Sequence, residues 1–297
     1  MSLPKVELDN LLLDPSHRDR TSQVDSDLPN NIRPNLIKIL KSKSHCFAWS
    51  HRDMTGISEE VITHKLNIDP TFKLIQQKRR KLSLERSKVV DEEVNKLLDM
   101  KMIREVMYPE WLANCVVVPK KNGKWRVCVD YTDLNKACPN DPFPFAHIDT
   151  MVDATAGHEL LTFMDAASGF NQIKMYPPDQ EKTAFITNKG VYCYTAMTFG
   201  LRKTGATYQR LVNTMFKDLI GDTMEVYIDD MVVKSLNAED HVKHLEQTFA
   251  ILEQFNMKLN PSKCCFKVSA GKFLGYMVTI WVNFVQSECE STSTILI

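Results

Sequence analysis
The chain has 297 residues, 43% of them hydrophobic, which suits one large domain or two small ones with a packed core. Its 37 Lys and Arg balance 37 Asp and Glu, so the positive excess often shown by a self-sufficient nucleic-acid binder is absent, which counts against strong duplex binding. No apolar run approaches a membrane span, the start Met1-Ser2-Leu3-Pro4-Lys5 carries no apolar signal region, and eight cysteines without a CxxC pair read as reduced thiols of an intracellular protein.

In chain order, residues 1–34 are polar and are expected to show little order. Leu36, Ile37, Ile39 and Leu40 start a short helix, followed by Cys46-Phe47-Ala48-Trp49-Ser50. Residues 1–65 are read together as a polar, partly disordered connector. Val61 to Leu74 reads as extended, and Lys78-Arg79-Arg80-Lys81 is a basic cluster able to meet phosphates. From Arg86 to Met102, Val90, Val94, Leu97 and Leu98 form the stripe of an amphipathic helix. Cys115 to Lys121, then Asn122-Gly123, then Lys124 to Tyr131 reads as a β-hairpin, because Asn-Gly between strands favours a tight type I′ turn. Trp125, Val127, Val129 and Tyr131 share one face of the outgoing strand; Lys124, Arg126, Cys128 and Asp130 share the other. A ribbon with basic groups on one side can close over a triphosphate, although a solvated edge hairpin has the same pattern.

Further on, Leu160-Leu161-Thr162-Phe163-Met164 reads as a buried strand ending at Asp165, and Ser168-Gly169-Phe170 turns the chain. Thr183 to Met197 is a second hairpin, turning near Asn188-Lys189-Gly190. A helix from about Gly205 to Leu219 buries Leu211, Val212, Met215, Phe216 and Leu219. Glu225 to Val233 places Asp229 and Asp230 between strand-forming runs, the pattern of a hairpin whose turn carries both carboxylates. A polar turn without function fits that stretch taken alone. If the two acid-bearing strands pair, Asp165, Asp229 and Asp230 form a cluster that calls for cations. Oxygen ligands suit Mg²⁺, or Mn²⁺ in its place. Two such ions can activate an attacking oxygen and stabilise a leaving one, which is nucleotidyl-transfer chemistry. Asn237 can cap a helix bearing Val242, Leu245, Phe249 and Leu252 on one face. On that helix His241 and His244 could mimic a metal pair, but a solvated face is the expectation.

Tyr227-Ile228-Asp229-Asp230 resembles the YxDD signature of reverse transcriptases. Asp165, within Phe163-Met164-Asp165-Ala166-Ala167-Ser168-Gly169-Phe170, resembles their upstream catalytic aspartate. The wording is most similar to the gypsy-type polymerase of plant LTR retrotransposons, from about Phe47 to Thr279. The resemblance implies an α+β right-hand polymerase fold, fingers and palm, with an antiparallel palm sheet backed by helices. It places the domain at 66–278, with fingers at about 66–140 and 174–204 and palm at about 141–173 and 205–278. The implied activity is RNA-directed DNA synthesis, joining a dNTP to a primer 3′-hydroxyl on an RNA or DNA template.

By the same resemblance, Asp165, Asp229 and Asp230 are catalytic and bind Mg²⁺. Arg126 meets nucleotide phosphate, with Lys120 or Lys121 beside it, and Phe170 closes off the sugar 2′ position. Phe199, in Met197-Thr198-Phe199-Gly200-Leu201, lies beneath the nucleotide, although proline is usual where Thr198 stands. Tyr227 and Ile228 line the primer end and nucleotide pocket, Phe273, Leu274, Gly275 and Tyr276 grip the primer, and Lys263 is a candidate proton donor to pyrophosphate. Cytoplasmic particles or the nucleus are the implied locations. No Asp-Thr-Gly or Asp-Ser-Gly protease triplet occurs, and residues 279–297 resemble nothing in the family. The expectation is a chain without protease, thumb or RNase H, the rest of whose polyprotein, integrase included, lies elsewhere. The competing expectation is an inactive remnant, at most a binding module.

Overall fold
The structure is a computed structural model and describes residues 7–28, 31–119, 123–268, 270–279 and 284–285. Its strands begin with β1 (Leu8–Leu12), β2 (Thr21–Asp25), β3 (Thr63–His64), β4 (Ile103–Glu105), β5 (Ala113–Pro119), β6 (Trp125–Val129), β7 (Leu160–Asp165) and β8 (Lys174–Met175). They continue with β9 (Phe185–Ile186), β10 (Val191–Tyr194), β11 (Met224–Tyr227), β12 (Asp230–Ser235), β13 (Cys265–Val268), β14 (Ala270–Phe273), β15 (Tyr276–Thr279) and β16 (Phe284–Val285). The helices are α1 (Arg33–Ser42), α2 (Leu84–Asp99), α3 (Thr132–Ala137), α4 (Ile148–Asp153), α5 (Pro177–Gln180), α6 (Thr204–Met215) and α7 (His241–Gln254). Two units interleave along the chain: of the described residues, one takes those from 7 to 55, 144–169 and 208–285, the other those of 56–143 and 170–207.

The first unit is built on a six-stranded sheet ordered β1-β2-β13-β7-β12-β11. The alternation in β7 explains its central place. Leu161 and Phe163 turn to one face and join Met151, Val152, Val232, Val268, Phe273 and Val278 in a buried cluster. Thr162 turns to the other face, where its hydroxyl meets His241 of α7 at 2.8 Å. On α7, Leu245, Phe249 and Leu252 are fully buried. The Phe249 and Phe266 rings stack at 6.2 Å, and Phe47 packs against both at 6.0 Å. Burying each such side chain stabilises by roughly 1.5–3 kcal/mol, so Phe47, in the expected connector, is a core residue.

Three expectations change here. Residues 8–12 and 21–25 are not disordered: they form a hairpin, and β2 adds parallel to β13 through Gln23–Cys265 and Val24–Phe266. Ser22 and Val24 are buried while their neighbours are half exposed, the mixed polarity of an edge strand, which reads as disorder when judged by composition. Second, α7 starts after Asp240, not at Asn237. The Ala238 N–H donates to Glu159 Oε2 at 2.8 Å, pinning the chain in a turn until Asp240. Third, His241 is fully buried rather than solvated. Its ring bonds the Thr162 and Ser235 hydroxyls at 2.8 and 2.7 Å, and Ser235 also meets His244 at 2.7 Å. Strand hydroxyls, not a metal, use both ring nitrogens of His241.

The second unit holds a five-stranded sheet, β4-β10-β9-β5-β6. β5 and β6 form the expected hairpin, with Cys115 opposite Val129 and Pro119 opposite Trp125. Along β6, Trp125, Val127 and Val129 are half-buried while Arg126 and Cys128 are exposed. Lys120, Lys121 and Asn122 lie outside the described residues. α2 begins at the Ser83 cap, buries Val90, Val94 and Leu97, and sets the Arg86 guanidinium 5.7 Å from the Trp125 ring centroid. β9 and β10 pair as the second expected hairpin.

After β13, strands β14, β15 and β16 form a small antiparallel sheet in the first unit. β16 falls within the stretch expected to be unrelated tail; the rest of 280–297 lies outside the described residues. The seven described cysteines are free thiols, and no helix among the described residues is long and apolar enough to cross a membrane.

Candidate active site
β7 ends at Asp165, β12 begins at Asp230, and the register sets the two directly opposite. Opposed residues of an antiparallel pair bring their Cβ atoms to about 4.5–5.5 Å. Tyr227 pairs with Asp230, so Ile228-Asp229 is the whole turn. The expectation of both acids in the turn is therefore corrected: Asp229 is in the turn and Asp230 stands on the strand. This lets neighbours in sequence escape the opposite-face rule of a continuous strand.

Ile228 adopts a φ of 53°, at the first turn position where hairpins usually place glycine. For a β-branched residue this conformation costs about 1–3 kcal/mol. A side chain that sequence reasoning missed holds it there. Gln209 of α6, buried, accepts from the Ile228 N–H at 2.7 Å and donates to the Val226 carbonyl at 3.0 Å. Its amide also donates to Asn213 Oδ1 at 3.0 Å. The available signal was an amide on the apolar side of a helix, one residue after a tyrosine.

That tyrosine, Tyr208, is fully buried, and its hydroxyl faces the Asp229 carboxylate. Gly169 closes the same corner. A Cβ there would lie 2.8 Å from the Tyr208 hydroxyl and collide with Asp229 Oδ1, so this position admits no side chain. Asp165 is fixed from the chain that follows α7. Its carbonyl accepts from Asn260 N–H at 2.8 Å, and its Oδ2 accepts from Lys263 Nζ at 3.0 Å.

The electrostatics follow from this crowding. Burial, then the charges of Asp165 and Asp230, push the Asp229 carboxyl up to about 7. Burial raises Asp165 and Asp230 as well, with Lys263 opposing the shift in both. Asp229 Oδ1 is buried without a well-formed hydrogen bond. Among the described residues no three His, Cys, Asp or Glu side chains already stand close enough together to hold a metal ion. The donor set is nevertheless oxygen-only and over-charged, and it fits hard divalent cations such as Mg²⁺.

Other expected residues fall in several places. In the second unit, the Phe170 and Phe199 rings meet at 4.8 Å, Phe199 being 63% exposed. In the first unit, the Tyr227 and Phe145 ring centroids lie 6.0 Å apart, while Ile228, in the turn, is buried. Phe273 is core at 2% exposure; Leu274 and Gly275, both at positive φ, make the β14–β15 turn. The Tyr276 hydroxyl donates to Asp149 at 3.0 Å.

Comparison with known proteins gives this arrangement a family. Among solved structures, a foamy viral protease–reverse transcriptase in complex with RNA/DNA hybrid superposes with a TM-score of 0.76 at 20% identity, over 88% of this chain and 34% of that one. The protease–reverse transcriptase bound to double-stranded DNA gives 0.77 at 19% identity, over 88% of this chain and 45% of that one. The fold is therefore the fingers–palm fold of reverse transcriptases. A family model described as reverse transcriptase (RNA-dependent DNA polymerase) matches residues 118–278, and the chain belongs to that family.

The Pol polyprotein of transposon 297 of Drosophila melanogaster is 35% identical over 195 residues, 64% of this chain and 18% of the polyprotein. That of transposon 412 is 26% identical over 290 residues, 92% of this chain and 23% of the polyprotein. The Tf2-3 polyprotein of Schizosaccharomyces pombe is 31% identical over 192 residues, 64% of this chain and 14% of the polyprotein. The chain thus spans about a fifth of the length of such relatives, and its domain is one of a retrotransposon or retroviral Pol polyprotein.

Proposed function
We propose that this chain carries out RNA-directed DNA synthesis at Asp165, Asp229 and Asp230. The observation that carries the reading is the register of Asp165 against Asp230 with Asp229 in the strained turn between paired strands. The three carboxylates would hold two Mg²⁺ ions. When bound, these supply a lowered pKa for the primer 3′-hydroxyl and charge neutralisation at the leaving pyrophosphate. Gln209 and Gly169 fix where Asp229 points, and the Asn260–Lys263 segment fixes Asp165. Lys263, which donates to Asp165 Oδ2 at 3.0 Å, is assigned as the proton donor to pyrophosphate.

In the second unit, Arg126 and the lysines at 120 and 121 are assigned to the dNTP triphosphate. Phe170, packed on Phe199, is assigned to the sugar 2′ position. The 2′-hydroxyl separates RNA from DNA precursors, so Phe170→Val is expected to admit ribonucleotides, measured as the rNTP/dNTP ratio of kcat/KM. An unchanged ratio would remove Phe170 from that role. Leu274, Gly275 and Tyr276 are assigned to the primer strand; Phe273 supports them from the core. The template partner is RNA or DNA with an annealed primer. A gypsy-type element of a plant is the proposed source, tested by the reading frame that flanks this coding sequence in the genome.

Primer extension tests the activity: purified chain, poly(rA)/oligo(dT), dTTP and Mg²⁺ at low salt, with Asp229→Asn beside it. The expected result is extension by the chain and none by the variant. The variant should melt at a higher temperature, because one of three crowded carboxylates is neutral. A folded chain without extension would leave a binding module, and a less stable Asp229→Asn variant would mark a structural ion pair instead of a metal site.

A further inference from the structure
Outside the acidic cluster, a cavity of about 360 Å³ opens in the first unit between the β1–β2 hairpin, Trp49 and the loop after α7. Its walls have a specific chemistry. Trp49 supplies an aromatic side, held by its Nε1–H donating to the Ser44 carbonyl at 3.2 Å. Asn10 and Gln23 stand opposite each other in the β1–β2 register. The Gln23 carbonyl oxygen accepts from Cys265 Sγ at 3.2 Å, so its NH₂ is the end left to offer. Asn260 is similar: its Oδ1 accepts from Ser262 N at 3.2 Å and Ser262 Oγ at 2.8 Å. Asp19 adds a carboxylate acceptor; beside the walls, the Arg20 guanidinium, 5.8 Å from the Trp49 ring centroid, is paired with Asp14 at 2.8 Å.

These features select a ligand class. A phosphate would meet the Asp19 carboxylate, and the nearby Arg20 is already committed to Asp14, so the cavity disfavours it. A purely apolar ligand would leave amides and hydroxyls unpaired at about 1–3 kcal/mol each. A planar heterocycle with a ring N–H beside a carbonyl satisfies the walls: its carbonyl takes an amide NH₂, its N–H meets Asp19, and its face can stack on indole. We propose that this cavity is a subsite for an unpaired nucleobase of that kind, guanine or uracil and thymine, distinct from the catalytic acids. One wall reports to the catalytic centre directly, since Asn260 also donates its N–H to the Asp165 carbonyl. The proposal does not depend on the metal-site reading.

The test uses the full chain in EDTA and saturation-transfer NMR with guanosine, uridine, adenosine and ribose 5-phosphate. Guanosine and uridine are expected to bind saturably, with adenosine and ribose 5-phosphate weaker. Asp19→Ala and Gln23→Ala should each weaken guanosine by about tenfold, while Asp229→Asn should leave it unchanged. Equal binding of adenosine, or binding lost in Asp229→Asn but kept in Asp19→Ala, overturns the proposal. A second arm separates the two sources of a base. An oligonucleotide carrying 5-iodouracil should cross-link at Trp49 if the base comes from a strand. If it does not, while uridine still binds, the subsite takes free nucleosides. Failure of both arms rejects the subsite and leaves the primer-extension result untouched.

Discussion

Gln209 shows how a single side chain can decide a site it does not enter. It satisfies the Ile228 N–H and the Val226 carbonyl together, so the strained turn is held from beneath. Gln209→Ala should cost about 1–3 kcal/mol by leaving buried backbone groups unpaired. Turnover should fall further than stability implies, because Asp229 loses its bearing; paired urea denaturation and single-turnover kinetics would show this. Gly169→Ala tests the same corner from the other side. The added methyl drives Asp229 away from the Tyr208 hydroxyl, and a displacement of about 1 Å can cost about 100-fold in rate. Its melting temperature should fall too, because the fully buried Tyr208 ring must give way as well.

At this scale the sequence was legible where residues carry charge in a distinctive order. The Asp229-Asp230 pair taken alone reads as well as a polar turn; it stands out only beside Asp165 at the end of a second strand. Gln209, Gly169 and Tyr208 do not, because an amide, a glycine and a tyrosine acquire meaning only once α6 is seen to lie against the turn. Ile228 was visible in the sequence, but nothing in its chemistry announces a positive φ.

Among the elements, β12 is the most instructive. It carries Asp230 at one end and the buried Lys234 near the other. Lys234 Nζ meets Glu225 of β11 and the Ala154 carbonyl, each at 2.8 Å. Lys234→Met would strand the Glu225 carboxylate in the interior and should destabilise by about 3–5 kcal/mol. Adding Glu225→Met should recover most of it, which chemical denaturation of the single and double variants would measure.

α7 offers a pH-dependent counterpart. Burial lowers the His241 imidazole to about 3, with the neighbouring Lys267 and His244 charges adding to the effect. A group whose folded pKa lies below its unfolded value of about 6.5 supports the fold above that value. Its contribution is lost as pH falls from about 6.5 toward 3. The expected outcome is a steady fall in urea midpoint across that window, with the His241 ring still neutral by NMR at pH 5.

Elements with strong periodicity were read well: α2, the β5–β6 hairpin and the β7 and β11–β12 strands stand where they were expected. Those that failed were governed by distant partners. The Asn237 cap yields to Glu159, and the His241 face to hydroxyls on β7 and β12. Local pattern contains neither fact.

For the whole molecule, the N-terminal segment is the main difference between composition and structure. Its polarity suggested disorder, yet β1 and β2 complete the palm sheet beyond β13. Deleting residues 1–28 should uncover the β13 edge and lower stability, and an uncovered edge promotes association. A shift from monomer to higher species in analytical ultracentrifugation, with a lower melting temperature, would show both. Net charge belongs to this scale too. A balance of 37 against 37 leaves the chain few spare cations, so primer–template affinity should fall steeply with added salt only to the extent that local clusters such as Lys78–Lys81 take part.

The β2–β13 pairing also bears on how the protein is made. Gln23 and Cys265 are partners, and 242 residues of chain separate them (265 − 23). On a ribosome adding about 5–20 residues per second, the hairpin waits about 12–50 s for the strand it must join. During that time its open edge is exposed to every other nascent chain nearby. The six-stranded sheet thus cannot close before β13 has left the ribosome, and among the described strands only those of the small β14–β16 sheet are made after it.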